Sequence, residues 1–178
     1  MSLDVYGLTR QRDAGTLNRF LDEYVDRMAN ADRGNEELLI EPLDMRPEET
    51  VENWEDEPSL SLAHILELGL AHPRRAFRAY LKCLPICAQE GIERAILGFT
   101  RDDQLVLGLS VAPIYTIVWE VDEEAENART RALLAHFADM YQCHLGLILL
   151  EGPPPLSEAG FRQPAESLRV VYRIGFDA

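Results

Sequence analysis

The chain has 178 residues, 47% of them hydrophobic and 27% charged, a length and composition that bury a sizeable core without help from disulfides or metals. Nothing in it has the compositional bias of a disordered or low-complexity chain. Its 31 acids against 17 bases give a formal net charge of −14, which repels phosphate backbones and argues against nucleic acid as a partner.

Residues 3–8 (LDVYGL) read as a short strand. Asp13 then offers an N-cap for a helix over Ala14–Ala29, whose apolar stripe is Leu17, Phe20, Leu21, Tyr24, Val25 and Met28. After the turn-like Asp32–Asn35, Leu38–Ile40 reads as a short strand, and Glu41–Pro58 as a long polar surface loop punctuated by proline. Leu60–Ala71 returns to helical period and is apolar on most sides, so burial is expected; Pro73 ends it.

Ala76–Lys82 alternates, with Phe77, Ala79 and Leu81 on one face and Arg78, Tyr80 and Lys82 on the other. Ile92–Thr100 and Leu105–Ala112 make a β-hairpin around Arg101–Gln104, and Ile114–Glu120 reads as a further strand after Pro113. Acids at Asp122–Glu126 open a helix whose buried stripe is Leu133, Leu134, Phe137, Met140 and Tyr141. Leu145–Leu150 is a continuous apolar run expected to be a strand covered on both faces; Leu168–Ile174 is the last strand. Hairpins outnumber helical crossovers. The expectation is one α+β domain over residues 1–178, with a largely antiparallel sheet and about three helices packed mainly on one side.

No window approaches the roughly 18 apolar residues of a membrane span, and Met1–Arg12 lacks a basic region followed by an apolar run. The odd count of three cysteines, Cys83, Cys87 and Cys143, has no framework spacing and suits a reducing compartment. A cytoplasmic protein with no membrane partner is expected. The 16 arginines against a single lysine fit GC-rich bacterial coding.

Sequence motifs for chemistry are weak. Gly108-Leu109-Ser110-Val111-Ala112 approximates a nucleophile elbow, but it sits inside an alternating strand rather than on a strand-to-helix turn. Cys83, Cys87, Cys143 and His144 lack the close ligand pairs of a structural zinc, and the histidine pairs 64/72 and 136/144 lack i, i+4 spacing. No glycine-rich phosphate loop is present. No catalytic residue, metal or cofactor is therefore assigned.

Two features remain as candidate binding sites. Between Glu41 and Glu57 eight acids are opposed only by Arg46, and Glu48, Glu49, Glu52, Glu55 and Asp56 surround Trp54, an arrangement suited to steering and anchoring a basic protein. The alternative is a basic strand, Arg74, Arg75, Arg78 and Lys82, with no acid between them, suited to an anionic ligand beside Glu151 or His144 at a strand end. The first reading gives a non-enzymatic, inhibitor- or immunity-type module; the second gives a small-molecule enzyme or an anion-binding protein.

Overall fold

Every residue of Leu3–Thr9 (β1) is buried, which a strand achieves only when both faces of its sheet are covered. The computed structural model describes residues 2–31, 40–42, 61–73, 76–117 and 120–175, with 40–42 taken through their backbone. After β1 the chain forms α1 (Ala14–Tyr24), β2 (Ile40–Pro42), α2 (Leu62–Ala71), β3 (Phe77–Lys82), α3 (Pro85–Gln89) and β4 (Ile92–Phe99). It continues through β5 (Leu105–Val111), α4 (Glu123–Tyr141), β6 (Cys143–Leu150), α5 (Glu158–Arg162) and β7 (Val170–Gly175). The strands form one sheet in the order β2-β3-β4-β5-β1-β6-β7, and every neighbouring pair is antiparallel. The fold is α+β, as the hairpin-rich pattern implies.

Alternation sends the two sets of strand side chains into separate cores. On the first face Val5, Ala79, Leu81, Ala95, Leu97, Leu107, Leu109 and Ile148 meet Leu17, Phe20 and Leu21 of α1 and Leu134, Phe137 and Tyr141 of α4. Phe20 sits edge-on to Phe137 at 6.1 Å and to Tyr141 at 5.7 Å, a geometry that adds to simple area burial. On the second face Tyr6, Leu8, Ile96, Val106, Leu145, Leu147 and Leu149 are capped by Phe161 of α5, with Leu156 and Leu168 packed alongside.

Local signals explain most boundaries. Asp13 caps α1 by accepting from the Thr16 amide at 2.6 Å, which holds its carboxyl below the ordinary aspartate value. Ser61, Asp122 and Ser157 cap α2, α4 and α5 in the same way. Gln142 takes a left-handed conformation, φ 55, and turns the chain from α4 into β6.

Several expectations need correction. The first helix stops at Tyr24 rather than Ala29, because Val25 is extended and bridges Cys83. The Asp26 carboxylate then takes the Met28 and Ala29 amides at 3.1 and 2.9 Å, competing with helix continuation. Met28, assigned to the buried stripe, is 81% exposed. Glu41 and Pro42 belong to the edge strand β2, not to a loop, and an edge tolerates the proline. Leu38, Leu39 and residues 43–58 lie outside the described residues. Helix α2 begins at Leu62, and Leu70 is exposed, so its burial is one-sided. The stripe of α4 runs Glu126, Thr130, Leu134, Phe137 and Tyr141, leaving Met140 exposed. Of the expected strand 114–120, the described residues 114–117 and 120 form no ladder strand, and 118–119 lie outside the described residues. Among the described residues the expected helices are joined by α3 and α5, five-residue pieces too short to show a period.

Candidate functional site

The described residues that follow β5, 112–117 and 120–122, form a turn rather than a ladder strand. Pro113 lacks an amide and ends the ladder; the chain then doubles back through a single antiparallel bridge between Tyr115 and Val121. Asp122 N donates to Ile114 O at 2.7 Å and Thr116 N to Glu120 O at 2.7 Å. Glu120 N in turn donates to the Thr116 hydroxyl at 3.3 Å.

The base of this turn is clamped to α4. Glu126, a buried carboxylate, accepts the Ile114 amide at 3.1 Å, and the Arg129 guanidinium donates to the Ala112 carbonyl. Burial of Arg129 lowers its proton affinity, and the neighbouring Glu126 raises it again. Two opposite charges on successive turns of one helix therefore fix the point from which the turn projects.

What the turn presents is unusual for a polar chain. Ile117 is 99% exposed, Tyr115 51% and Val121 45%. Single exposed apolar residues are ordinary, but here three stand together within seven positions. Acids flank them: Glu120, Glu123 and Glu124 are exposed, and Asp122 caps α4. From Asp102 to Ala128 the sequence contains no lysine or arginine. Glu123 and Glu124, with Asn127, Ala128 and Arg131, also line a shallow groove of about 540 Å³ along the first turns of α4. Exposed apolar residues beside exposed carboxylates have the pattern of a binding anchor with a charged rim.

The acidic run predicted from sequence, Glu48, Glu49, Glu52, Trp54, Glu55 and Asp56, lies outside the described residues, as do Arg74 and Arg75 of the basic alternative. Arg78, Tyr80 and Lys82 do alternate onto the second sheet face. Arg78 is buried, register places it directly across from Glu41 in β2, and Lys82 stands across from Arg94 in β4.

Further along this face Ser110, inside β5, lies across from Asp4 in β1, so the elbow-like motif is plain strand. The Asp4 carboxylate accepts the Gly152 amide at 3.1 Å. Burial pushes its proton affinity up, opposed by the Ser110 hydroxyl and that amide. Tyr6 completes the arrangement by donating to Gly152 O at 2.8 Å. Glu151 accepts from Ser2 N at 3.1 Å.

The remaining polar candidates hold elements together. His144 is buried, with Nε2 3.5 Å from a Glu158 oxygen that also accepts from Gln104 Nε2 at 3.0 Å. Glu23 ties α1 to α4, taking the Tyr141 hydroxyl and His136 Nε2, the latter at 2.7 Å. Cys83, Cys87 and Cys143 are free thiols, and burial pushes Cys83 up to about 12, far from a reactive thiolate. Among the described residues no three His, Cys, Asp or Glu side chains gather into a group able to hold a metal, and no helix is long and apolar enough to cross a membrane.

Sequence reasoning missed the projecting turn because Ile114–Glu120 has the composition of a strand. Its signal was the proline that ends β5, a short apolar run, and a segment immediately after it in which five of the seven residues 120–126 are acids. Comparisons with protein-family models, with curated proteins and with solved structures found no match.

Proposed function

We propose that this protein is a non-enzymatic binding module that engages a basic protein through its acidic surface, in the manner of an inhibitor or immunity-type protein. The observation that carries this reading is the clamped segment of residues 113–117 and 120–122, with Tyr115, Ile117 and Val121 exposed beside the exposed acids Glu120, Glu123 and Glu124. Burying one large aliphatic side chain in a partner's cleft contributes about 1.5–3 kcal/mol. The carboxylates steer the approach of a basic surface and exclude like-charged competitors. The sequence supports the same polarity, since residues 1–60 hold 16 acids against 6 bases. The acids around Trp54 form a second candidate contact for the same partner.

The test is affinity capture from native lysate with three chains: wild type, Ile117→Asp, and the triple variant Glu120→Gln/Glu123→Gln/Glu124→Gln. A partner of high isoelectric point retained by the wild type and lost from both variants, each with an unchanged melting temperature, supports the reading. With that partner in hand, the triple variant slows association and flattens its salt dependence, whereas Ile117→Asp speeds dissociation. If both variants retain every protein that the wild type retains, the turn is not the binding surface and the proposal fails.

A further inference from the structure

The end of β5 leaves backbone groups without ladder partners. Pro113 offers no amide, so pairing with β4 stops and Ala112 must place its own polar groups elsewhere. Its N–H donates to Gly91 O at 2.8 Å, and its C=O takes the Arg129 guanidinium. Glu126, one helical turn earlier, accepts the Ile114 amide at 3.1 Å.

Gly91 meets two separate demands. It follows Glu90, the C-cap of α3, and turns the chain into β4 with φ 76, in the left-handed region. A Cβ built there would also lie 2.8 Å from Nη1 of Arg129. Asparagine tolerates the first demand, but a residue with a Cβ meets the second only by displacing the guanidinium. Among the described residues Nε of Arg129 is buried without a hydrogen-bond partner. Glu126, the carboxylate whose charge Arg129 feels, is engaged with Ile114 N. Glu90, beside Gly91 in sequence, acts on Tyr24 and Cys87 at the end of α1.

We propose that Gly91 and Arg129 are positioning residues that hold the turn after β5 in its binding-ready shape from behind. The bare backbone at Gly91 admits the guanidinium, and the guanidinium fixes the Ala112 carbonyl. The hydrogen bonds from Thr116 N to Glu120 O and from Asp122 N to Ile114 O then close on a fixed base. A turn already held does not have to be ordered by its partner, which removes an ordering cost from association. The consequence for binding rests on the function proposed above; the consequence for the turn itself does not.

The experiment is amide hydrogen exchange at Ile114, Thr116, Glu120 and Asp122 in wild type, Arg129→Met, Gly91→Asn and the double variant. Losing a hydrogen bond from a charged donor speeds exchange at these amides by about tenfold to a hundredfold in Arg129→Met. Amides of β1 and β6 change only as far as global stability does. Gly91→Asn gives the same local acceleration alone and adds none in the Arg129→Met background, as two residues acting through one contact must. Arg129→Lys, which keeps a single donor, restores part of the protection. Full additivity of the two substitutions, or acceleration no greater at the turn than in the core, overturns the proposal. With a captured partner, Arg129→Met slows association and leaves its salt dependence unchanged, unlike the glutamate variant. A partner indifferent to Ile117→Asp defeats the proposed function and leaves the exchange result standing.

Discussion

Replacing Arg12 with methionine tests how the two ends of the first core are held together. The Arg12 side chain is 2% exposed, and its guanidinium lies 5.2 Å over the Phe99 ring. One terminal nitrogen donates to Gly69 O and, at 2.8 Å, to His72 O, satisfying carbonyls left open at the end of α2. The other donates to Thr100 O just past β4, while Nε lies 3.6 Å from Asp103. One fork thus joins the β1–α1 connection, the end of α2 and the β4–β5 hairpin. Burial lowers its proton affinity, with Asp103 opposing, yet an arginine stays charged.

Methionine keeps most of the apolar stem and removes every donor. A hydrogen bond from a charged group contributes about 1.5–3 kcal/mol. Three carbonyls lose theirs, but those at the helix end regain some water, so the expected loss is about 3–5 kcal/mol. In a chain of this size that lowers the melting temperature by roughly 6–20 °C. Differential scanning calorimetry of wild type, Arg12→Lys and Arg12→Met measures it, with lysine intermediate because one ammonium cannot reproduce the fork. A methionine variant within about 2 °C of wild type refutes the role assigned to Arg12.

Gly69→Ala sets helix propensity against packing: alanine is intrinsically better in a helix by about 1 kcal/mol, but its Cβ would lie 2.2 Å from Phe99 ring atoms. Net destabilisation of about 1–3 kcal/mol is expected in urea titrations, and a stabilised variant would show that α2 is free to move off β4. Asp4→Asn keeps an acceptor for Gly152 N and removes a buried charge. Because the folded carboxyl titrates above its ordinary value of 3.8, its favourable contribution belongs to acid pH and is lost as pH rises through the raised value. The asparagine variant therefore gains on wild type between pH 3 and pH 7, and a relative loss over that range contradicts the assignment. Phe161→Ala uncovers the second core and costs about 3–5 kcal/mol by denaturation; a change below about 1 kcal/mol means that α5 lies outside the cooperative fold.

Much of the architecture is written in local pattern. The caps Asp13 and Asp122, the alternation of Phe77–Lys82, the turn at Arg101–Gln104 and the uninterrupted Leu145–Leu150 each specify an element through nearest neighbours, which is why the antiparallel α+β class is legible in the chain. Where a tertiary partner competes with a local preference, the sequence alone misleads. Helix α1 ends at Tyr24 because Val25 finds a partner in Cys83 and the Asn30 side chain clamps the Lys82 backbone, 52 residues on, with both hydrogen bonds at 3.0 Å, long-range contacts that no periodicity contains. Ile114–Glu120 has strand composition, but a strand needs a neighbour. Glu126 and Arg129 of α4 take the backbone groups at its base, and Tyr115 and Ile117 are left facing water. Residue types determine the charge, the periods and the capping; which cations face one another and which apolar side chains remain uncovered is decided by register and by the helices that dock on the sheet, because both depend on contacts between residues distant in the chain.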